Sequence, residues 1–132
     1  MLKKTITYTD YDGNTRTEDF YFNLSKSELV EMQLSSDGGL DKFIKRVIDA
    51  QNSRELVALF KEFIIKSYGV KSDDGRRFIK NDTVRDDFVQ TEAYNELFME
   101  LTTNADAAAE FLNGVVPSEL RMTPEELAKF QS

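Results

Sequence analysis

Three groups of residues have the types and spacing that chemistry could use. Glu92, Glu96 and Glu100 recur every four residues and so line one face of a helix, where paired carboxylates could perform general acid and base work. Asp10, Asp12 and Asn14 alternate as the first ligands of a calcium loop do. Asp73, Asp74 and Gly75 precede the basic pair Arg76 and Arg77, which could grip a phosphate or a carboxylate. Each group also lacks what its chemistry requires. No nucleophile, base or metal-ligating partner stands near the glutamates, so a solvated helix face accounts for them. The calcium pattern needs Gly at its sixth position and Glu at its twelfth, where the chain has Thr15 and Tyr21. A turn explains Asp73-Asp74-Gly75, and salt bridges or solvent explain the two arginines.

Composition narrows the chemistry further. With 132 residues and neither Cys nor His, the chain has no thiol nucleophile, imidazole base, disulfide or His/Cys zinc site. No cofactor is expected, and any metal site would need oxygen ligands. The apolar fraction of 40%, including ten Phe and five Tyr, can fill the core of one domain. No apolar run is long enough to cross a membrane, and Met1 to Asp10 lacks the apolar centre of a signal peptide, so a cytoplasmic location is expected. Charge is split along the chain: residues 1–80 carry 14 basic and 13 acidic side chains, residues 81–132 carry 3 and 11. The acidic half argues against nucleic acid as a partner; it serves solubility or attraction to a basic partner.

The elements that would position these residues emerge from periodicity. Leu2 to Tyr8 alternates as a strand, and Thr15 to Phe22 reads as its partner, with Phe20 and Phe22 on one face. A plain two-residue turn at Asp12-Gly13 would set the apolar faces against each other. A three-residue loop, Asp12 to Asn14, instead pairs Ile6 with Phe20 and places Asn14 in the left-handed position. Ser25 and Glu28 have the spacing of a capping box, predicting a short helix to about Leu34, broken by Asp37-Gly38-Gly39. Leu40, Phe43, Ile44, Val47 and Ile48 make a second helical stripe. The most hydrophobic helix, Arg54 to Tyr68, with Ser53 as its cap, is expected to be central, and Phe60→Ala there should cost on the order of 3–5 kcal/mol.

After Gly69 comes a turn-rich connector, residues 69–80, for which two roles stand: a hinge, or a hairpin with Val70 and Phe78 facing inward across Asp74-Gly75. The composition of Arg77 to Lys80 favours the hairpin. Asp82 or Thr83, Thr91, and Asn104 are expected to cap three further helices, the last ending at Asn113-Gly114. Thr123-Pro124-Glu125 reads as one more helix start in the tail, residues 121–132. The expected fold is thus α+β and mostly helical: a single domain with an N-terminal β-hairpin and five to six short helices, in blocks 1–68 and 81–120. Apolar residues on the second block, Tyr94, Leu97, Phe98, Leu101, Phe111 and Leu112, either complete the core or form a surface awaiting a partner.

The hairpin TDYDGNTRTEDFYFNLSKSEL, the connector YGVKSDDGRRFIKN and the closing block TEAYNELFMELTTNADAAAEFLNGVVP together resemble the tail assembly chaperones of long-tailed bacteriophages, particularly phages of Gram-positive hosts. The resemblance covers about residues 3–120. It implies a non-enzymatic protein of the host cytoplasm that binds the tape measure protein, keeps it soluble and extended during tail tube assembly, and is absent from the finished virion. It further implies self-association, contact with the tail tube protein, and a longer form made by ribosomal frameshifting as properties to look for. The family has no catalytic motif to carry over. For tape measure binding, the expected surface is Tyr94, Leu97, Phe98, Leu101, Phe111 and Leu112, ringed by acidic side chains. A minor structural or tail-completion protein of the virion is the rival role.

Overall fold

A computed structural model describes residues 1–32 and 53–117 of the chain, apart from the side chains of Ser53, Glu55, Leu56 and Leu59. The helical stripe at Leu40 to Ile48, the break at Asp37-Gly38-Gly39 and the helix start at Thr123 lie outside the described residues. The rest is α+β, as expected: antiparallel strands at the N-terminus, then helices. Strands β1 (Leu2–Thr9) and β2 (Thr15–Phe22) are followed by α1 (Lys26–Glu31), α2 (Ser53–Ser67), β3 (Tyr68–Lys71), β4 (Phe78–Ile79), α3 (Asp82–Val89), α4 (Glu92–Thr103) and α5 (Ala105–Val115). The strands form one antiparallel sheet in the order β1-β2-β3-β4.

The β1–β2 register corrects the expected one. Ile6 lies opposite Glu18, and Phe20 opposite Lys4, a shift of two residues that keeps the apolar side chains on the same face. The loop does have three residues, but they are Tyr11, Asp12 and Gly13, and Tyr11 does not pair with Asn14. The cause is local. The Asp10 carboxylate accepts from the amides of Asp12 (3.0 Å) and Asn14 (2.9 Å), and the Asp10 amide donates to the Asn14 carbonyl at 2.9 Å. That closes the hairpin at Asp10, and the left-handed position then falls on Gly13 (φ +85°), which adopts it without a Cβ penalty, rather than on Asn14.

Ser25 and Glu28 form the expected capping box: the Ser25 hydroxyl accepts from the Glu28 amide (3.2 Å) while the Glu28 carboxylate accepts from the Ser25 amide (3.0 Å). The helix is shorter than expected, ending at Glu31 with Met32 as its C-cap. Just before it, the Asn23 amide donates to the Ser67 carbonyl (2.7 Å) and the Leu24 amide to the Val115 carbonyl (2.8 Å). Those two bonds tie the exit of the hairpin to the ends of α2 and α5. Helix α2 is central as anticipated, with Phe60, Phe63 and Ile64 buried, although Val57 is exposed.

The connector is a hairpin. Strand β3 continues directly from α2, pairing Tyr21 with Gly69, while β4 pairs Val70 with Ile79 and Lys71 with Phe78. Gly75, at φ +73°, and the Asp74 carboxylate, which accepts from the Ser72 hydroxyl and the Arg76 amide, shape its turn. Val70 is exposed, not inward as expected. Phe78 is half-buried, and its ring occupies the space a Cβ on Gly69 would need, 2.7 Å from that position. So Gly69 is required for close packing.

Helix α3 is capped by Asn81, whose side chain accepts from the Val84 amide, rather than by Asp82 or Thr83. Thr91 and Asn104 cap α4 and α5 as expected, but α5 runs through Asn113-Gly114 to Val115. The core gathers Ile6 and Phe22 from the hairpin, Leu29, the buried face of α2, Phe88, and the inner faces of α4 and α5. Aromatic rings run through it: Phe22 packs against Tyr68, Phe88 and Phe111, and Tyr68 stacks on Phe88 at 4.1 Å.

Candidate functional site

The acidic row on α4 serves structure as much as solvation. Glu100 pairs with Lys4 Nζ at 2.9 Å, tying the helix to β1. Glu92 accepts from the Asn95 amide group (3.0 Å), and its carboxylate pushes up the pKa of the nearby Tyr11 hydroxyl. Glu96 lines an open cleft. Among the described residues, no group of three or more carboxylates lies close enough together to hold a metal ion. Asp10 is a turn organiser; beyond its amide bonds it accepts from Arg16 at 2.5 Å, and these bonds hold its carboxyl below the usual range. Arg76 and Arg77 are exposed, with Arg76 only 4.0 Å from Asp74.

Among the ion-paired cations of the described residues, the most deeply embedded is one the sequence patterns do not single out. Lys80 donates to the Asn23 carbonyl (2.6 Å) and to both oxygens of Glu28 (2.8 and 2.7 Å), clamping the end of β4 to the start of α1. Burial pulls the Lys80 pKa down against the opposing pull of Glu28. Burial pushes the Glu28 carboxyl up, but its bonds with Lys80 and with the Ser25 amide outweigh it, so Glu28 titrates below its ordinary value. No spacing rule links positions 28 and 80, so only the fold reveals the pair.

The six apolar residues expected to bind a partner are brought close together, but mostly as core. Tyr94, Leu97, Leu101, Phe111 and Leu112 are all buried, at 7% exposure or less. Phe98 is half-buried, its ring 5.8 Å from that of Tyr94. Its neighbour Met99 is 57% exposed and is the large apolar side chain that α4 presents outward. The i, i+3, i+4 rule found the inner stripe and passed over Met99, which lies off it.

Met99 stands beside a cleft at the edge of the sheet. The cleft, of about 310 Å³, runs between β1 and α4, bounded by Thr5 and Thr7 on the strand and by Glu96, Met99, Glu100 and Thr103 on the helix. Strand β1 is the end strand of the sheet. Bonded residues alternate along an antiparallel pair, and Asp10 bonds Asn14, so the even-numbered residues of β1 spend their backbone groups on β2. Lys3, Thr5, Thr7 and Thr9 turn theirs to the other side, where nothing among the described residues pairs with them.

This arrangement defines a small α+β protein with an edge strand and a cleft between that strand and α4. Residues 1–129 match a family model described as phage tail assembly chaperone, and the chain belongs to that family. Comparison with curated proteins and with solved structures found no match. No helix among the described residues is long and apolar enough to cross a membrane.

Proposed function

We propose that this chain binds the tape measure protein, keeps it soluble while the tail tube assembles around it, and leaves before the virion is complete. Membership of the tail assembly chaperone family over residues 1–129 carries the reading. The acidic second half supports it, because an acidic chaperone keeps a bound hydrophobic client dispersed. The chain acts as a binding protein and not as an enzyme, in the cytoplasm of the host, in phages with long tails. Self-association, contact with the tail tube protein and a frameshifted longer form belong to the same proposal.

Within the apolar group, Phe98 is the member that can touch a client as the domain stands, with Met99 beside it. Tyr94, Leu97, Leu101, Phe111 and Leu112 support that surface from within. Co-expression with the tape measure protein tests the role: the client should become soluble and copurify. Tape measure protein that aggregates equally with and without the chain would overturn it. Mass spectrometry of purified particles should miss the chain, and its presence there at stoichiometric level would make it a minor structural tail protein instead.

A further inference from the structure

We infer that the edge of β1 left open among the described residues, with the Glu96–Met99–Thr103 flank of α4, receives an extended segment of the client as an added strand whose every second side chain is basic or apolar. This rests on the tape measure reading and specifies how the client is held. The backbone supplies the first half of the argument. Over eight residues, β1 presents the N–H and C=O groups of Lys3, Thr5, Thr7 and Thr9 in regular alternation, a template for one more strand. Edges of this length are blunted by proline, a bulge, charged side chains or a cover; β1 carries charge at Lys3 and Lys4, of which Lys4 is engaged with Glu100. Among the described residues a cleft of about 310 Å³, and no covering segment, lies along it.

The helix supplies the second half. Side chains alternate across a strand, so half of those on an added strand would turn toward the helix side of the sheet, where Ile6 and Lys4 already point. There they would meet Glu96, exposed Met99, and Glu100, whose charge Lys4 already balances. Among the described residues Glu96 has no cationic partner, and a carboxylate so placed beside an exposed thioether suits cationic and apolar side chains. The same charge argues against a second copy. Two-fold pairing of β1 with β1 would bring α4 toward α4 on the same side of the sheet, and α4 carries Glu92, Glu96 and Glu100 with no Lys or Arg. The client is therefore a foreign, basic and extended segment.

Thr7→Pro tests the inference, since it removes an N–H that points off the free edge and belongs to no ladder bond with β2. With the full chain and co-expressed tape measure protein, the folded Thr7→Pro variant should lose about tenfold or more of the captured client. In the wild-type complex, the amides of Thr5, Thr7 and Thr9 should exchange about tenfold or more slower than in the free chain. A folded variant that captures normally, with no slowing at those amides, overturns strand addition while the chaperone reading stands. Wild-type chain that captures no tape measure protein overturns both. Concentration-dependent protection of these amides in the free chain means a second copy fills the edge, which overturns the foreign strand. Should Thr7→Pro fail to fold, the wild-type exchange measurement decides alone.

Discussion

The two ends of the sheet are built on opposite principles. At the β4 end the last strand is two residues long, its Phe78 ring packs over Gly69, and the Lys80 side chain anchors the strand's exit to Asn23 and Glu28. Little backbone is left to offer a neighbour, which is how folded proteins blunt an edge. At the β1 end the strand is eight residues long, its odd-numbered backbone groups are unpaired among the described residues, and it meets the helix beside it through buried Ile6 and the partly exposed Lys4–Glu100 ion pair. A domain able to close one edge so thoroughly has the means to close the other. The contrast fits a clamped end that serves stability and an open end that the proposed strand addition would use.

The largest perturbation should act on both ends at once. Phe22 sits opposite Leu2 of β1 and Tyr68 of β3, and its buried ring meets Tyr68, Phe88 and Phe111. Phe22→Ala should cost about 3–5 kcal/mol in denaturant unfolding, with both ends lost in one transition. Separate transitions for the β1 and β4 ends would show that they do not share one core. Phe111→Ala belongs to the same size class, whereas Phe98→Ser should cost about 1 kcal/mol or less because the side chain is only half-buried. Equal costs at positions 98 and 111 would erase the distinction between core and surface drawn on this face.

A smaller effect should single out the clamped end. Glu28→Ala removes both the capping-box acceptor and the partner of Lys80, and should cost about 1–3 kcal/mol, loosening amides of α1 and β4 before those of β1. The pH dependence has a definite sign. Because the folded state holds the Glu28 carboxyl below its ordinary value, its contribution is complete above the unfolded value of about 4.3 and disappears as pH falls through the lower folded value. Glu28→Gln should flatten that part of the acid limb; an unchanged acid limb would mean that the pair contributes nothing.

What could be read from the sequence depended on whether a feature was local. The Ser25–Glu28 box, the Thr91 and Asn104 caps and the burial of Phe60 each depend on residues within a turn or two, where spacing specifies geometry. The hairpin was visible but its register was not: Asn14 and Gly13 can both take a left-handed position, and the Asp10 carboxylate decided between them. Asn81, Asp82 and Thr83 are all capping residue types in a row, so composition could not choose the first. The stripe of Tyr94, Leu97 and Leu101 announced a face to be covered without saying by what; the covering proved to be the domain's own core. That β1 is the end strand among the described residues left no mark, because alternation encodes the two faces of a strand and not its neighbours.

The smallest change is aimed at the open end. Lys4 and Glu100 are 28% and 46% exposed, so Lys4→Ala should cost about 1 kcal/mol or less, and that cost should shrink further as salt is added. Its consequence for binding should run the other way. Without the Lys4 ammonium, Glu100 joins Glu96 as an uncompensated carboxylate on the flank of the cleft, so a cationic segment should be held more tightly at low ionic strength. Measuring stability and client capture on the same variant separates the two roles. A large stability loss would make the pair a second clamp and cancel the contrast between the edges. Unchanged stability with weaker capture would show that Lys4 itself touches the client, and that the charge preference of the cleft is the reverse of the one its glutamates imply.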